Sequence, residues 1–154
     1  MLVVAPILPA FILFLPVQAE ARIGPFSQLG TGTGIVFPEA VYQLHLFGDF
    51  SLTDSISLRT VFEISSLSGV FILPVDEMAI FRFGQEPKIY LGVGIGLLML
   101  RSGLGTVVNL SYSLAGGIEF TPWSLPLFAQ LKIRRAGERV TFQLDTGVIV
   151  KLKG

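Results

Sequence analysis

Apolar and polar positions alternate along most of this chain, most regularly in residues 88–120. From Ile89 to Met99 every second residue is apolar, and three of the five residues between them are glycine. After a glycine-containing loop, a second alternating stretch runs from Val108 to Phe120. A period of two is typical of a β-strand, because successive side chains point to opposite faces. Both stretches exceed the roughly 5–6 residues usual in globular proteins and match the about 9–11 residues with which a tilted strand crosses a bilayer.

The same period predicts further strands, separated by segments of turn composition. An eighth strand is expected within residues 21–37, the least regular part, where the run Gly30–Gly34 is interpreted as a flexible loop or a strand entry. Residues 66–76 are interpreted as a looser connection, whose apolar segment Phe71–Val75 most simply continues a strand. The seven clearer strands are predicted at residues 42–50, 56–65, 78–83, 89–99, 108–120, 127–134 and 140–152.

These elements predict an all-β fold, an antiparallel up-and-down eight-stranded transmembrane β-barrel. An even number of strands places both ends of the barrel domain at one end of the barrel, here called the terminal end; the opposite end is the far end. The far-end connections are short for an outer-membrane barrel and leave little room for a binding site on loops. Residues 53–55, 84–87 and 121–126 are assigned to the terminal end, and 30–40, 66–76, 101–105 and 135–138 to the far end.

Alternation alone does not say whether the apolar face contacts lipid or forms a soluble core, so other features decide the question. The polar faces are rich in small residues, which usually mark tight space, as in the narrow lumen of an eight-stranded barrel. Large aromatic residues collect near strand ends, as a membrane-interface girdle requires. Both features favour an apolar exterior. The small residues are Gly92, Gly94, Gly96, Ala115, Gly117 and Gly147, and the aromatic ones are Phe50, Phe83, Phe120 and Trp123 at the terminal end and Tyr42, Phe62 and Phe142 towards the far end.

Charged residues on the polar faces nearly balance in sign. Buried charges persist only when they are paired and hydrogen-bonded, so a closed lumen should carry such a near-neutral set. We expect these residues to form a structural polar network inside the barrel. The predicted members are His45, Asp49, Arg59, Glu63, Arg82, Glu119, Lys132, Arg134, Asp145 and Lys151.

Residues 42–152 resemble a known family in their alternation of apolar and polar residues. The hairpin from Ile89 to Phe120, with its Gly-X-Gly-X-Gly strand, and the turn entry Phe120-Thr121-Pro122 are similar to the small eight-stranded outer-membrane β-barrels of bacteria. The resemblance implies an integral barrel of the cell outer membrane. Some barrels of this kind are lipid-modifying enzymes that use a serine with a histidine and an acidic residue on the barrel wall.

Composition agrees with contact between the chain and lipid. Of the 154 residues 51% are apolar and only 14% are charged, against roughly 25% charged in ordinary soluble domains. Eleven basic and eleven acidic residues leave no basic surface for nucleic acid. The chain has no cysteine, which excludes disulfides and thiolate chemistry.

The N-terminal residues form a separate segment. An apolar run over residues 2–17 is followed by small residues at Ala19 and Ala21, a pattern typical of a signal peptide. A cleavable signal peptide is therefore predicted at residues 1–19 and the β-barrel domain at residues 20–154. A retained membrane anchor is the alternative, but the run is shorter than the about 20 residues of a spanning helix and contains Pro6, Pro9 and Pro16.

Candidate chemistry is sparse. His45 is the only histidine, and no serine lies two residues from it, where the resembling lipid-modifying enzymes would lead one to expect it. One histidine, no cysteine and dispersed carboxylates offer no metal-ligand spacing. The Gly30–Gly34 run lacks the lysine and the following helix of a phosphate-binding loop.

We therefore expect an outer-membrane barrel with a structural or adhesive role or a small-pore role, its lumen largely plugged by polar and small side chains. The expected partners are the lipid bilayer and envelope or surface components, with no nucleic acid, no cofactor and a monomeric state. No enzymatic activity is expected. Two alternatives stay open: a soluble exported lipocalin-like barrel that binds an apolar ligand, and a lipid-modifying outer-membrane enzyme that uses His45.

Overall fold

The computed structural model describes residues 26–152, which form a closed barrel of eight antiparallel strands. Each strand pairs with the next along the chain, and β1 pairs with β8 to close the barrel. The predicted up-and-down fold is confirmed, whereas the predicted signal peptide lies outside the described residues. The strands are β1 Gln28–Phe37, β2 Val41–Ser51, β3 Ile56–Leu67, β4 Val70–Phe83, β5 Lys88–Ser102, β6 Gly105–Phe120, β7 Leu127–Ala136 and β8 Arg139–Lys151.

The first strand contains the run Gly30–Gly34, so the interpretation of that run as a loop or a strand entry is wrong. Gly32 lies opposite His45 of β2 and Gly147 of β8. A Cβ atom on Gly32 would approach His45 Nε2 to 2.9 Å, and one on Gly34 would clash with the Asp145 carboxylate. These glycines are therefore strand residues that leave space for the lumen side chains of the neighbouring strands.

The fourth strand begins at Val70, directly after a tight turn at Ser68 and Gly69, so residues 66–76 are not a loop. Phe71–Val75 continues the strand, as predicted. Pro74 lies inside β4, and the β3–β4 pairing is interrupted opposite it, because proline has no N–H to give to the ladder. Every far-end connection is shorter than the sequence predicted: residues 38–40, 68–69, 103–104 and 137–138.

Outward-facing side chains are mostly large and apolar, and the inward-facing ones in the middle of the barrel are mostly polar. On β5, for example, Leu91, Val93 and Ile95 are each at least half exposed, whereas Tyr90 is fully buried in the lumen. A lipocalin-like barrel needs an apolar core and a polar surface. The observed distribution is the reverse, so the soluble alternative is wrong.

Candidate functional site in the barrel lumen

The half of the lumen nearer the terminal end contains a cluster of two arginines and two carboxylates. Arg59 donates to Asp49 through Nε at 2.6 Å and through Nη2 at 2.9 Å, a bidentate pair. Arg82 contacts the same Asp49 carboxylate, and its Nε donates to Glu119 at 3.1 Å. Its Nη1 also donates to the hydroxyl of Ser57 at 2.6 Å. All five side chains are buried, so this cluster closes the terminal half with paired charges.

Aromatic rings lie above this cluster in the middle of the lumen. The Arg59 guanidinium lies over the Phe47 ring at 3.9 Å from the ring centre, within cation–π distance. Phe47 packs edge-on against Phe128 at 5.3 Å between centroids, and His45 packs against Phe128 at the same separation. Phe47 and Phe128 belong to a buried apolar cluster in the lumen that also contains Met78, Ile80 and Tyr90.

The half of the lumen nearer the far end contains a second cluster of two cations and two carboxylates. Lys132 Nζ lies 2.7 Å from Glu63 Oε1 and 2.5 Å from Asp76 Oδ2. Arg134 Nη2 contacts the same two carboxylates, each at 2.6 Å. Ser113 adds a hydrogen bond to Asp76 at 3.1 Å. Each cation thus bridges two strands on the other side of the lumen, and the four charges cancel.

A fifth carboxylate, Asp145, lies between the clusters and is held by amides. Gln43 and Gln130 each donate to it at 3.1 Å, and Gln143 donates at 2.8 Å. His45 Nδ1 lies 3.7 Å from Asp145, beyond hydrogen-bond length, and neither ring nitrogen has a hydrogen-bond partner among the described residues. The described lumen therefore carries one carboxylate more than its lysines and arginines balance.

The ten predicted lumen residues do not all lie in these clusters. Nine are buried inside the barrel, but Lys151 is exposed at the terminal end of β8. Alternation along β8 assigns Lys151 to the inward face, but the strand has reached the rim of the barrel at this residue. The prediction that Lys151 belongs to the lumen network is therefore wrong. The prediction also missed Asp76, since it placed this residue at the end of a loop.

The geometry of His45 bears on the enzymatic alternative. A nucleophilic serine needs its base within hydrogen-bond reach, and no described serine hydroxyl bonds to His45. The ring is 4% exposed and faces the lumen, not the lipid. The described residues also contain no group of three or more histidine, cysteine, aspartate or glutamate side chains that could hold a metal ion.

The far-end rim carries one exposed ion pair, between Glu39 in the β1–β2 turn and Arg139 at the start of β8. The hydrogen bond from Arg139 holds the pKa of the Glu39 carboxyl below its usual value, so the carboxyl keeps its charge to a lower pH than an isolated glutamate would.

One carboxylate faces outward in the middle of the apolar wall. Glu77 lies in β4, six residues from Phe71 and six from Phe83, which are both about half exposed and face the same side. The Thr60 hydroxyl donates to it at 2.8 Å. The other outward threonines with a side-chain hydrogen bond, such as Thr31 and Thr33, donate to backbone carbonyls instead.

We expect Glu77→Gln to stabilise the protein in a bilayer by about 1–2 kcal/mol, because a carboxylate at mid-wall is costly to bury in lipid and glutamine keeps the acceptor for Thr60. The free energy of unfolding by guanidinium from lipid vesicles measures the effect. Glu138→Gln, in the exposed far-end turn, is the control and should change stability by less than about 0.5 kcal/mol. Equal effects of the two changes would show that Glu77 does not contact lipid.

Solved structures with the same architecture are outer-membrane proteins. Neisserial surface protein A superposes with a TM-score of 0.63 and 14% identity, over 81% of this chain and 95% of that one. The N-terminal β-barrel domain of Pseudomonas aeruginosa OprF gives a TM-score of 0.62 and 15% identity, over 81% and 98%. The chain has the fold of small outer-membrane barrels. No family model and no curated protein matches the chain.

The same fold also carries catalysis in at least one case. The outer membrane enzyme PagL superposes with a TM-score of 0.52 and 12% identity, over 81% of this chain and 99% of that one. At such identities the likeness concerns the fold alone, so function has to be argued from the side chains.

In residues 26–152 no helix is long and apolar enough to span a membrane.

Proposed function

We propose that this chain is a monomeric integral barrel of the bacterial outer membrane with a structural or adhesive role and a sealed lumen. The observation that carries the proposal is the pair of charge-balanced clusters, one in each half of the lumen, with a layer of aromatic rings between them. Arg59 and Lys132, the central cations of the two clusters, are 2% and 0% exposed. A water-filled pore would leave such groups hydrated.

The exterior supports the location. A continuous wall of exposed leucine, isoleucine, valine and phenylalanine side chains is expected only where lipid replaces water. Trp123, in the terminal-end connection, is 94% exposed, and Tyr42 towards the far end is 67% exposed. Aromatic residues near both rims are typical of membrane interfaces.

We expect the purified barrel to give no stable channel conductance in planar bilayers, because moving ions through the lumen would break several buried ion pairs at once. The same preparation should migrate as a compact species in SDS until it is boiled, and this migration is the control for insertion of folded protein. A large, stable conductance from such a preparation would contradict the sealed lumen. Release of the protein from outer membranes by an alkaline wash would contradict the location.

A further inference from the structure

The far end of the lumen is lined differently from its middle. Above the second charge cluster lies a cavity of about 140 Å³, here called the far-end cup. Much of its wall is apolar, although these side chains point inward like the polar ones below them. The Glu39–Arg139 ion pair at the rim and several uncharged polar side chains also line it. The apolar part of the wall consists mainly of Val41, Leu67, Ile72, Pro74, Leu98 and Leu100.

The floor of the cup is polar and contains an incompletely bonded arginine. Arg134 lines the cavity and is 4% exposed. Both of its contacts to Glu63 and Asp76 use Nη2, and no described residue bonds to its Nη1, which is not enclosed as Nε is. Nη1 is therefore a donor on the floor of the cup that is suited to an acceptor that a ligand brings. The amide of Asn109 lies on the same lining.

We propose that the far-end cup binds a small neutral molecule with a compact apolar body and one oxygen acceptor, a ketone, ester or alcohol, with the acceptor on Arg134. Apolar concave walls with a few polar groups are the usual form of small-molecule sites, and barrel mouths are a common place for them. An engineered apolar cavity of about 150 Å³ admits benzene, so a single ring of six or seven heavy atoms is the appropriate size.

The charge of the lumen favours a neutral ligand over an anion. Glu63 and Asp76 already balance Lys132 and Arg134, Glu39 balances Arg139 at the rim, and Asp145 adds a further carboxylate below them. A ligand carboxylate would therefore add a second unbalanced negative charge, whereas a carbonyl or hydroxyl oxygen satisfies the free N–H without adding charge.

The test uses the full barrel in lipid nanodiscs with labelled methyl groups on leucine, isoleucine and valine, followed by NMR. Cyclohexanone is the neutral probe and cyclohexanecarboxylate is the anionic one of matched shape. We expect saturable shifts at the methyls of Leu98 and Leu100 with cyclohexanone, with a dissociation constant on the order of 1 mM. The carboxylate should bind at least about tenfold more weakly. Equal or tighter binding of the carboxylate would overturn the neutral-ligand proposal.

Two variants separate binding in the cup from partitioning into lipid. Ala136 lines the cavity, so Ala136→Phe should fill it and abolish the saturable shifts. Val140→Phe adds a phenyl ring on the outward face at the same hairpin and should leave the shifts unchanged. Shifts that survive Ala136→Phe, or that never saturate in the unmodified barrel, would show that the probe does not occupy the cup.

A third variant tests the floor. Arg134→Lys keeps a positive charge for Glu63 and Asp76 but removes the free Nη1, and it should weaken cyclohexanone binding about fivefold, the equivalent of one hydrogen bond. SDS migration without boiling verifies that this variant is folded. A folded Arg134→Lys barrel with unchanged affinity would overturn the role of Arg134. None of these readouts depends on whether the lumen conducts ions.

Discussion

Lys132→Met should lower the free energy of unfolding from lipid vesicles by about 3–5 kcal/mol, the cost of leaving a buried ion cluster without one of its cations. Lys132 is fully buried and contacts both Glu63 and Asp76. Methionine has a similar volume, so packing changes little and the loss measures charge. Arg134 alone would then face both carboxylates, with Asp145 close by.

A second substitution separates charge balance from packing. Adding Asp76→Asn to Lys132→Met leaves Arg134 paired with Glu63, and the new amide oxygen can still accept a hydrogen bond from Ser113. We expect the double variant to recover about half or more of the loss, a coupling that independent sites would not show. Additive losses in the double-mutant cycle would contradict the view that the cluster acts as one neutral unit.

The matched control for the Lys132 substitution is Lys151→Met. Both lysines occupy inward positions of the alternation, but Lys151 is exposed at the rim and has no ion-pair partner among the described residues. Its replacement should change the free energy of unfolding by less than about 0.5 kcal/mol. A loss at Lys151 comparable to that at Lys132 would show that the effect does not depend on burial.

The strand period was enough to predict the architecture, because each barrel strand has one face on lipid and the other in the lumen. The clearest strands, β5 and β6, have an almost uninterrupted apolar face, and glycines on the other face of β5 mark where the lumen is tight. Alternation predicts strands least well where neither face of the strand is clearly apolar. In β1 the alternation is between glycine and threonine, so neither face reads as apolar.

The missed lumen residue Asp76 has a related cause. Pro74 breaks the local pattern, and Asp76 is followed by Glu77, so two acidic neighbours resemble a loop although one faces the lumen and the other the lipid. No rule of alternation predicts an outward carboxylate. Only the pairing with β3, which brings Thr60 opposite Glu77, shows that this side chain has a hydrogen-bond partner on the wall.

The sequence does not predict the far-end cup either, because the alternation is lost in this part of β5. Residues 97–100 are four apolar residues in a row, which removes the alternation that marks inside and outside elsewhere on β5. The closed barrel assigns Leu97 and Met99 to the exterior and turns Leu98 and Leu100 inward, onto the cavity. Which cations join which carboxylates also depends on contacts across the lumen, between strands far apart in sequence, and a period of two carries no information about these.

Because the outer face of β6 lies against lipid, we expect the stability cost of an arginine on that face to depend on its depth in the bilayer. Leu114→Arg should cost about 2–4 kcal/mol, and Leu110→Arg should cost only about 0–1 kcal/mol. Leu114 lies six residues from Phe120, which is about 20 Å of strand and about 15 Å of height at a tilt near 40°. That is close to the middle of an apolar band about 25 Å tall, whereas Leu110 lies near its edge.

Exposure alone would predict no such gradient. Leu114 and Leu110 are 54% and 53% exposed, and Leu104 in the far-end turn is fully exposed. In water an arginine at any of these positions would change stability by less than about 0.5 kcal/mol. Leu104→Arg is therefore the control, expected to be neutral in both settings. Guanidinium unfolding from vesicles of the three variants measures the gradient, and three equal small values would contradict a lipid-facing wall, because only a bilayer can distinguish two equally exposed leucines on one strand.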